Sequence, residues 1–171
     1  MKKHFYPALL VLFVSLAAFV TLTTWKVKEP YEVKFSGGKI HGEFKGLKAN
    51  IEFDKLHPEQ SKISASIEVA TVATGFFLKN SHVQDALDGD KYPNISFSST
   101  SVSKNGNGFA AAGALKMHGV VKPVTIYFTF DDKGAEGVFK GNFKVQTKAF
   151  NITHNGSPDE LTIDLMVPVS K

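Results

Sequence analysis

The fold is decided by the stretch from Phe109 to Phe130, which reads FAAAGALKMHGVVKPVTIYFTF. On each side of its central His-Gly pair every second residue is apolar or very small, a period of two that is typical of half-buried antiparallel strands. Gly119 gives the corner the backbone freedom that a tight turn requires. The stretch is therefore predicted to form a β-hairpin. Its inward residues are Phe109, Ala111, Gly113, Leu115 and Met117, followed by Val124, Ile126, Phe128 and Phe130.

The inward face of the first hairpin strand carries very little side-chain volume at its centre. Ala111 and Gly113 lie between the larger Phe109, Leu115 and Met117. A solid core would need bulk at these positions, because protein interiors are close-packed. The small residues leave room either for large side chains from the facing sheet or for a bound molecule.

Composition excludes several classes of function. The chain has 171 residues, a net charge of +4 and lysines that are scattered along the sequence, so it lacks the clustered basic residues of a nucleic-acid-binding surface and no nucleic-acid partner is expected. It has no cysteine, which excludes disulfides, thiolate metal sites and cysteine nucleophiles. Its 15 phenylalanines must be buried or face a ligand.

Residues 1–25 are predicted to be a signal peptide or an N-terminal membrane anchor. A basic start is followed by an uncharged apolar run of about 18 residues up to Leu22. That length lies between a signal-peptide core and a minimal membrane span, so removal before Lys28 and retention as an anchor are both open. Residues 26–30 are predicted to be a linker into a domain that occupies residues 26–171. The domain is expected to be periplasmic or secreted, or to contact the membrane through the uncleaved segment.

The rest of the chain is predicted to be all-β with one short helix. Strand-like alternation recurs between turn signals, giving about eight antiparallel strands. Between Gly75 and Leu87 the period becomes helical. The helix is expected to pack Phe76, Phe77, Val83 and Leu87 against the sheet and to direct Lys79, Asn80, Ser81 and Asp85 mostly outward. A sheet of this size either stacks as a sandwich or closes into a barrel.

Four blocks of sequence, taken in order, resemble the YceI-like, polyisoprenoid-binding family of exported bacterial proteins. They are TVAT at 71–74, KNSHV at 79–83, KYPNISFSST at 91–100 and GALKMHGVVKPV at 113–124. The resemblance implies an eight-stranded antiparallel, lipocalin-like β-barrel with a short inserted helix. Its interior would hold a long isoprenoid or another amphiphilic lipid. Where that family usually has an Arg-Asp pair before the helix histidine, this chain has Lys79-Asn80.

No catalytic constellation accompanies the histidines that match the family. His82 and His118 could serve as a base or a ligand if they faced a polar cavity. Neither a carboxylate pair, nor a zinc-protease motif, nor a nucleophile elbow occurs with them. The alternative is that His82 hydrogen-bonds near the helix and that His118 stabilises the hairpin turn. The protein is therefore predicted not to be an enzyme and to need neither a cofactor nor a metal.

The predicted function is to hold an isoprenoid or other lipid-like chain for transport, storage or sequestration. The alternative is a structural or stress-response accessory whose core is filled by its own phenylalanines. The residues expected to line the interior are Phe44, Phe97, Phe109, Ala111, Gly113, Leu115, Ile126, Phe128, Phe143 and Ile163. Lys79, His82 and Lys91 are expected at the mouth, where an ammonium group suits a phosphate or carbonyl. The sequence indicates no particular oligomeric state.

Overall fold

Eleven strand segments and one α-helix make up the part of the chain that the computed structural model describes, residues 22–171. The strands are β1 (Thr24–Val27), β2 (Glu32–Gly37), β3 (Ile40–Phe44), β4 (Leu47–Glu52), β5 (Lys62–Glu68), β6 (Val72–Ala73), β7 (Asn94–Asn105), β8 (Gly108–Met117), β9 (Val120–Asp132), β10 (Glu136–Gln146) and β11 (Glu160–Ser170). The helix α1 is Phe77–Ala86, and short 3₁₀ turns occupy Pro58–Gln60, Val69–Thr71 and Thr147–Phe150.

The segments combine into a closed eight-stranded antiparallel barrel. β1 with β2, β3 with β4, and β5 with β6 each form one interrupted strand, and β7 to β11 are the other five. β11 pairs with β10 along one edge and with β1 and β2 along the other, so that Phe35 lies opposite Ile163 and Lys26 opposite Ser170. This closure confirms the predicted barrel and excludes the sandwich. It also pairs the strand edges that an open sheet would expose.

The predicted hairpin of β8 and β9 is confirmed. Phe109 lies opposite Phe128, and Ala111 lies opposite Ile126. His118 and Gly119 form the turn with φ values of 51° and 74°, the left-handed pair that a two-residue hairpin favours. The His118 Nδ1 atom lies 3.0 Å from the Phe150 carbonyl oxygen. This contact supports the interpretation of His118 as a residue that stabilises the turn.

One end of the barrel is filled by a cluster of aromatic rings, which we call the aromatic floor. Phe53 is 1% exposed, and its ring centroid lies 5.0 to 5.6 Å from those of four other phenylalanines. The members of the floor are Trp25, Phe53, Phe109, Phe128, Phe130 and Phe139. The prediction that phenylalanines fill the core therefore holds at this end of the barrel.

The first strand begins earlier than the sequence suggested. Lys26 and Val27, which were expected to start a linker, pair with β11 instead. Trp25 is 4% exposed and donates a hydrogen bond from Nε1 to the Phe53 carbonyl oxygen at 3.1 Å. The linker prediction is therefore wrong for Lys26 and Val27. The barrel already begins beside the apolar run, since Trp25 belongs to the aromatic floor. The rest of the predicted signal or anchor falls outside the described residues.

Within residues 22–171, none of the helices combines the length and the apolar character that crossing a membrane would require.

The helix α1 differs from its prediction in its first turn. Val83 and Leu87 are buried as expected, but Phe76 and Phe77 are 66% and 80% exposed. The expected packing of both rings on the sheet is therefore wrong, and Leu78 beside them is 71% exposed as well.

The hydrogen bonds of Asn80 explain why the first turn of α1 leaves the Phe76 and Phe77 rings exposed. The Asn80 Oδ1 atom accepts hydrogen bonds from the Thr74 backbone N–H at 2.8 Å and from the Thr74 hydroxyl at 2.7 Å. Positions 80, 83 and 87 share one helix face, so Asn80 takes the inward place in the first turn. The expectation that Asn80 points outward is wrong. With this amide turned inward, the helix directs Phe77 and Leu78 away from the barrel.

Candidate functional site

A cavity of about 760 Å³ occupies the barrel above the aromatic floor. Its mouth is formed by α1, by the turn between β2 and β3, and by the loop at 154–158. Volumes of 300 to 1,000 Å³ are usual for small-molecule sites in proteins. The walls are the inward side chains of the strands, among them Phe44, Leu47, Ala49, Ile51, Ile63, Ala65, Ile67, Phe97, Ala111, Leu115, Ile126, Phe143, Leu161, Ile163 and Leu165.

Burial along the inside of the barrel shows that the half next to the mouth is hollow. Val102 and Val169 are 1% and 0% exposed. Nearer the mouth, by contrast, Ile163 and Leu165 remain half-buried although they point inward. Their exposed surface faces the cavity, so the barrel's own side chains leave space there. The barrel's own phenylalanines thus fill one end, and space remains at the other.

Small side chains create part of this space. Ala49 on β4 lies directly opposite Ala65 on β5, and both line the cavity. Ala111 lines the wall on β8. An eight-stranded barrel is only just wide enough to be filled by its side chains, so alanines on neighbouring strands decide whether room remains.

Ten of the thirteen residues expected at the site line this cavity: Phe44, Phe97, Ala111, Leu115, Ile126, Phe128, Phe143, Ile163, Lys79 and His82. Phe128 forms part of the floor as well as part of the lining. Their contact with a ligand remains a prediction. Phe109, Gly113 and Lys91 lie elsewhere.

Gly113 makes room for a neighbouring ring and not for a ligand. A Cβ atom at this position would lie 2.7 Å from the ring of Phe97 and against the carbonyl oxygen of Ser98. Phe97 thus covers the gap that the sequence suggested. Phe109 is part of the floor, where its ring stacks on that of Phe128 at 5.4 Å between centroids. Lys91 is exposed outside the cavity, with its ammonium 5.1 Å from the centroid of the Tyr92 ring.

Several residues that line the cavity were not predicted from the sequence to do so. Ala49, Ile63, Ala65, Ile67, Leu161 and Leu165 all belong to alternating strand patterns, and this alternation is the signal that could have found them. The mouth residues His154 to Pro158 lie in a loop, whose approach to the cavity no periodicity indicates.

The cavity has a basic bias at its mouth. Among the described residues its lining includes no aspartate or glutamate, and its ionisable members are Lys34, Lys39, Lys79, His82 and His154. Lys34 pairs with Glu32 at 2.8 Å, and this hydrogen bond raises the pKa of the Lys34 ammonium. Lys39 and Lys79 take part in none of the ion pairs formed within residues 22–171. The mouth therefore suits a neutral or anionic polar group.

The polar groups of the barrel are otherwise satisfied. Every buried side-chain nitrogen or oxygen of residues 22–171 has a hydrogen-bond partner. Over the same residues no group of three or more histidine, aspartate or glutamate side chains is placed to hold a metal ion. The arrangement is an apolar container with a cationic rim.

Comparison with known sequences gives matches over the whole barrel. The profile of the YceI-like domain family matches residues 21–170. A UPF0312 protein of Pseudomonas putida is 37% identical over 139 residues, which cover 76% of this chain and 72% of that protein.

Solved structures share the fold. BcnA of Burkholderia cenocepacia superposes with a TM-score of 0.76 at 26% identity, covering 82% of this chain and 96% of that one. A polyisoprenoid binding domain from Saccharophagus degradans gives a TM-score of 0.67 at 12% identity, covering 88% of this chain and 99% of that one. At 12% identity the second likeness shows the architecture alone.

Proposed function

Since the chain belongs to the YceI-like family, we propose that its barrel binds a long apolar chain, an isoprenoid or a lipid of similar shape. The observation that carries this proposal is the hollow, apolar half of the barrel above the aromatic floor. The related fold of a domain described as polyisoprenoid binding is consistent with that ligand class. The ligand would enter at the mouth with its apolar end toward Phe128 and Phe139, which line the cavity and belong to the floor.

Burial of a prenyl chain supplies enough free energy for binding. At about 0.8 kcal/mol per methylene, each five-carbon unit contributes roughly 4 kcal/mol. Association costs on the order of 4 to 15 kcal/mol before any affinity appears. A ligand of a few isoprene units therefore binds usefully, whereas a single unit does not. Selectivity would follow from the length and width of the apolar chain.

The charge of the rim supports an anionic polar end for the proposed ligand. Lys39 and Lys79 line the mouth and have no carboxylate partner among residues 22–171, and a lysine ammonium is a good partner for phosphate or carboxylate. We therefore favour an amphiphile with an anionic head, such as a prenyl phosphate. Because the rim is exposed, the charge adds only a few-fold to affinity.

The proposed role is non-catalytic: transport, storage or sequestration of this lipid outside the cytoplasm. The basic and apolar start of the chain supports this proposed location. If the domain is exported, such a container keeps a poorly soluble molecule out of water.

Fluorescence titration tests the proposal. The purified protein is mixed with a short prenyl phosphate that carries a dansyl group, and separately with the corresponding uncharged prenol. Both should bind, with the phosphate a few-fold tighter, and changing Lys39→Ala and Lys79→Ala together should remove that difference. The structural or stress-response alternative would be favoured, and the proposal overturned, if neither probe bound.

A further inference from the structure

We propose that Phe76, Phe77 and Leu78 form a lipid-docking patch that seats the barrel mouth on an anionic bilayer. These three consecutive side chains are 66%, 80% and 71% exposed. The other large apolar side chains exposed within residues 22–171, Leu56, Val121 and Tyr127, are scattered singly. Single exposed apolar residues are ordinary, but a contiguous exposed group marks an interaction surface.

The patch adjoins the opening of the cavity. Lys79 directly follows Leu78, and His82 lies about one helical turn further along α1, and both side chains line the cavity. A surface that covered the patch would therefore meet the mouth. This juxtaposition assigns the patch a role at the entrance of the barrel.

Charge complementarity identifies the occupant as a bilayer with anionic headgroups. Lys39 and Lys79 lie at the rim without an ion pair among the described residues, and the cavity lining there has no acidic side chain. The Lys79 ammonium lies 5.1 Å from the centroid of the Phe76 ring. Apolar side chains beside a lysine that can reach the headgroups are typical of segments that lie in the membrane interface. Each rim lysine near an anionic leaflet should strengthen binding about fivefold.

The size of the patch also favours a bilayer over a protein partner. A stable protein interface buries on the order of 1,200 Å² or more, which three side chains cannot supply alone. A bilayer has no such requirement, since each side chain inserts independently. Three apolar side chains give weak and reversible attachment, which suits a molecule that must dock and leave again. Docking stands on these observations alone, whereas its use for loading lipid rests on the proposed function.

The opposite end of the barrel provides a matched control. Leu56 is 69% exposed in the loop between β4 and β5, near the aromatic floor. The neighbouring Lys55 pairs with Asp132, which ends β9 at that same end. Trp25 is the single tryptophan of the chain and is buried in the floor, so it contributes a constant background to fluorescence. A tryptophan at position 77 and one at position 56 would thus report on opposite ends.

The experiment uses the full chain with either Phe77→Trp or Leu56→Trp. Each variant is mixed with vesicles of phosphatidylcholine and phosphatidylglycerol whose acyl chains carry bromine, which quenches a tryptophan that inserts. Phe77→Trp should shift its emission to shorter wavelength and be quenched, less so without phosphatidylglycerol or in high salt, while Leu56→Trp should not respond. Quenching at 56 with none at 77 would overturn the proposal, because the far end would then face the membrane. A blue shift of Phe77→Trp without vesicles that grows with protein concentration would also overturn it, in favour of a second copy of the chain.

A second variant separates docking from ligand binding. Changing Phe77→Ser and Leu78→Ser together should lower vesicle affinity about tenfold or more while leaving the titration with the dansyl prenol unchanged. Leu56→Ser is the control and should change neither quantity. If the double variant still bound the vesicles as tightly as its control, the patch would not be the docking surface. If the unmodified chain did not bind the prenol, the proposed function would be contradicted, but the docking result would still stand.

Discussion

Replacing Ala65 by phenylalanine should fill part of the cavity and displace ligand from it without disturbing the barrel. Ala65 points inward from β5, and the residue opposite it on β4 is Ala49, so the added ring meets open space on that side. Phe97 lies opposite it on β7 and is already packed over Gly113. The new ring must therefore extend into the cavity, where it takes the place of ligand.

The magnitude follows from the length of chain that is displaced. Excluding one five-carbon unit removes roughly 4 kcal/mol of apolar burial, which corresponds to an affinity about a thousandfold weaker. Any misfit of the ring should cost about 1 to 3 kcal/mol of the free energy of unfolding. Ser66→Phe adds the same ring at the next residue, which faces outward, and is the matched control.

The assay is the dansyl prenol titration, run beside urea unfolding of each variant. Ala65→Phe should bind the prenol about a thousandfold more weakly and remain folded, while Ser66→Phe should bind as the unmodified chain does. If Ala65→Phe is folded and binds the probe with unchanged affinity, the ligand does not occupy the barrel interior. The reasoning from the cavity would then be refuted.

Three further outcomes follow from the aromatic floor and the packing around it. Phe53→Ala should lower the free energy of unfolding by about 3 to 5 kcal/mol in urea titrations, because its buried ring contacts four others. A loss below about 1 kcal/mol would contradict the claim that this ring is the centre of the aromatic floor. Gly113→Ala should cost about 1 to 3 kcal/mol by the same assay, since its methyl group would meet the Ser98 carbonyl oxygen and the Phe97 ring. An unchanged stability would show that these groups do not cover the glycine. If the N-terminal segment is removed, mass spectrometry should find a mature chain that still contains Thr23, whose carbonyl oxygen accepts a hydrogen bond from the Phe53 N–H at 3.0 Å; a chain beginning after Trp25 would contradict this.

The architecture could be predicted from the sequence because its signals are local. The inward residues of the hairpin follow a strict period of two in the sequence. The structure keeps this period, since the inward Phe109 of β8 lies opposite the inward Phe128 of β9. Barrel closure is less local. It depends on β11 meeting both β1 and β2, and the expectation of a barrel came from the resemblance to a family.

The candidate site could be predicted only in part, because a cavity depends on which side chains meet across the barrel. Gly113 suggested space by its own size, but Phe97 from the neighbouring strand fills it. Ala49 and Ala65 do leave space because they lie opposite each other, a fact of register that neither strand shows alone. Phe77 was expected to be buried because it is apolar, and only the hydrogen bonds of Asn80 reveal that the helix turns it outward.

The central claim is that the barrel carries a lipid, and native mass spectrometry of the purified protein tests it most directly. The protein should appear as a complex with one added mass that organic extraction releases as a prenyl lipid, or should take up one prenyl phosphate when this is added. The complex should be absent from Ala65→Phe and present in Ser66→Phe. A protein that shows only its own mass, before and after a prenyl phosphate is added, would contradict the claim.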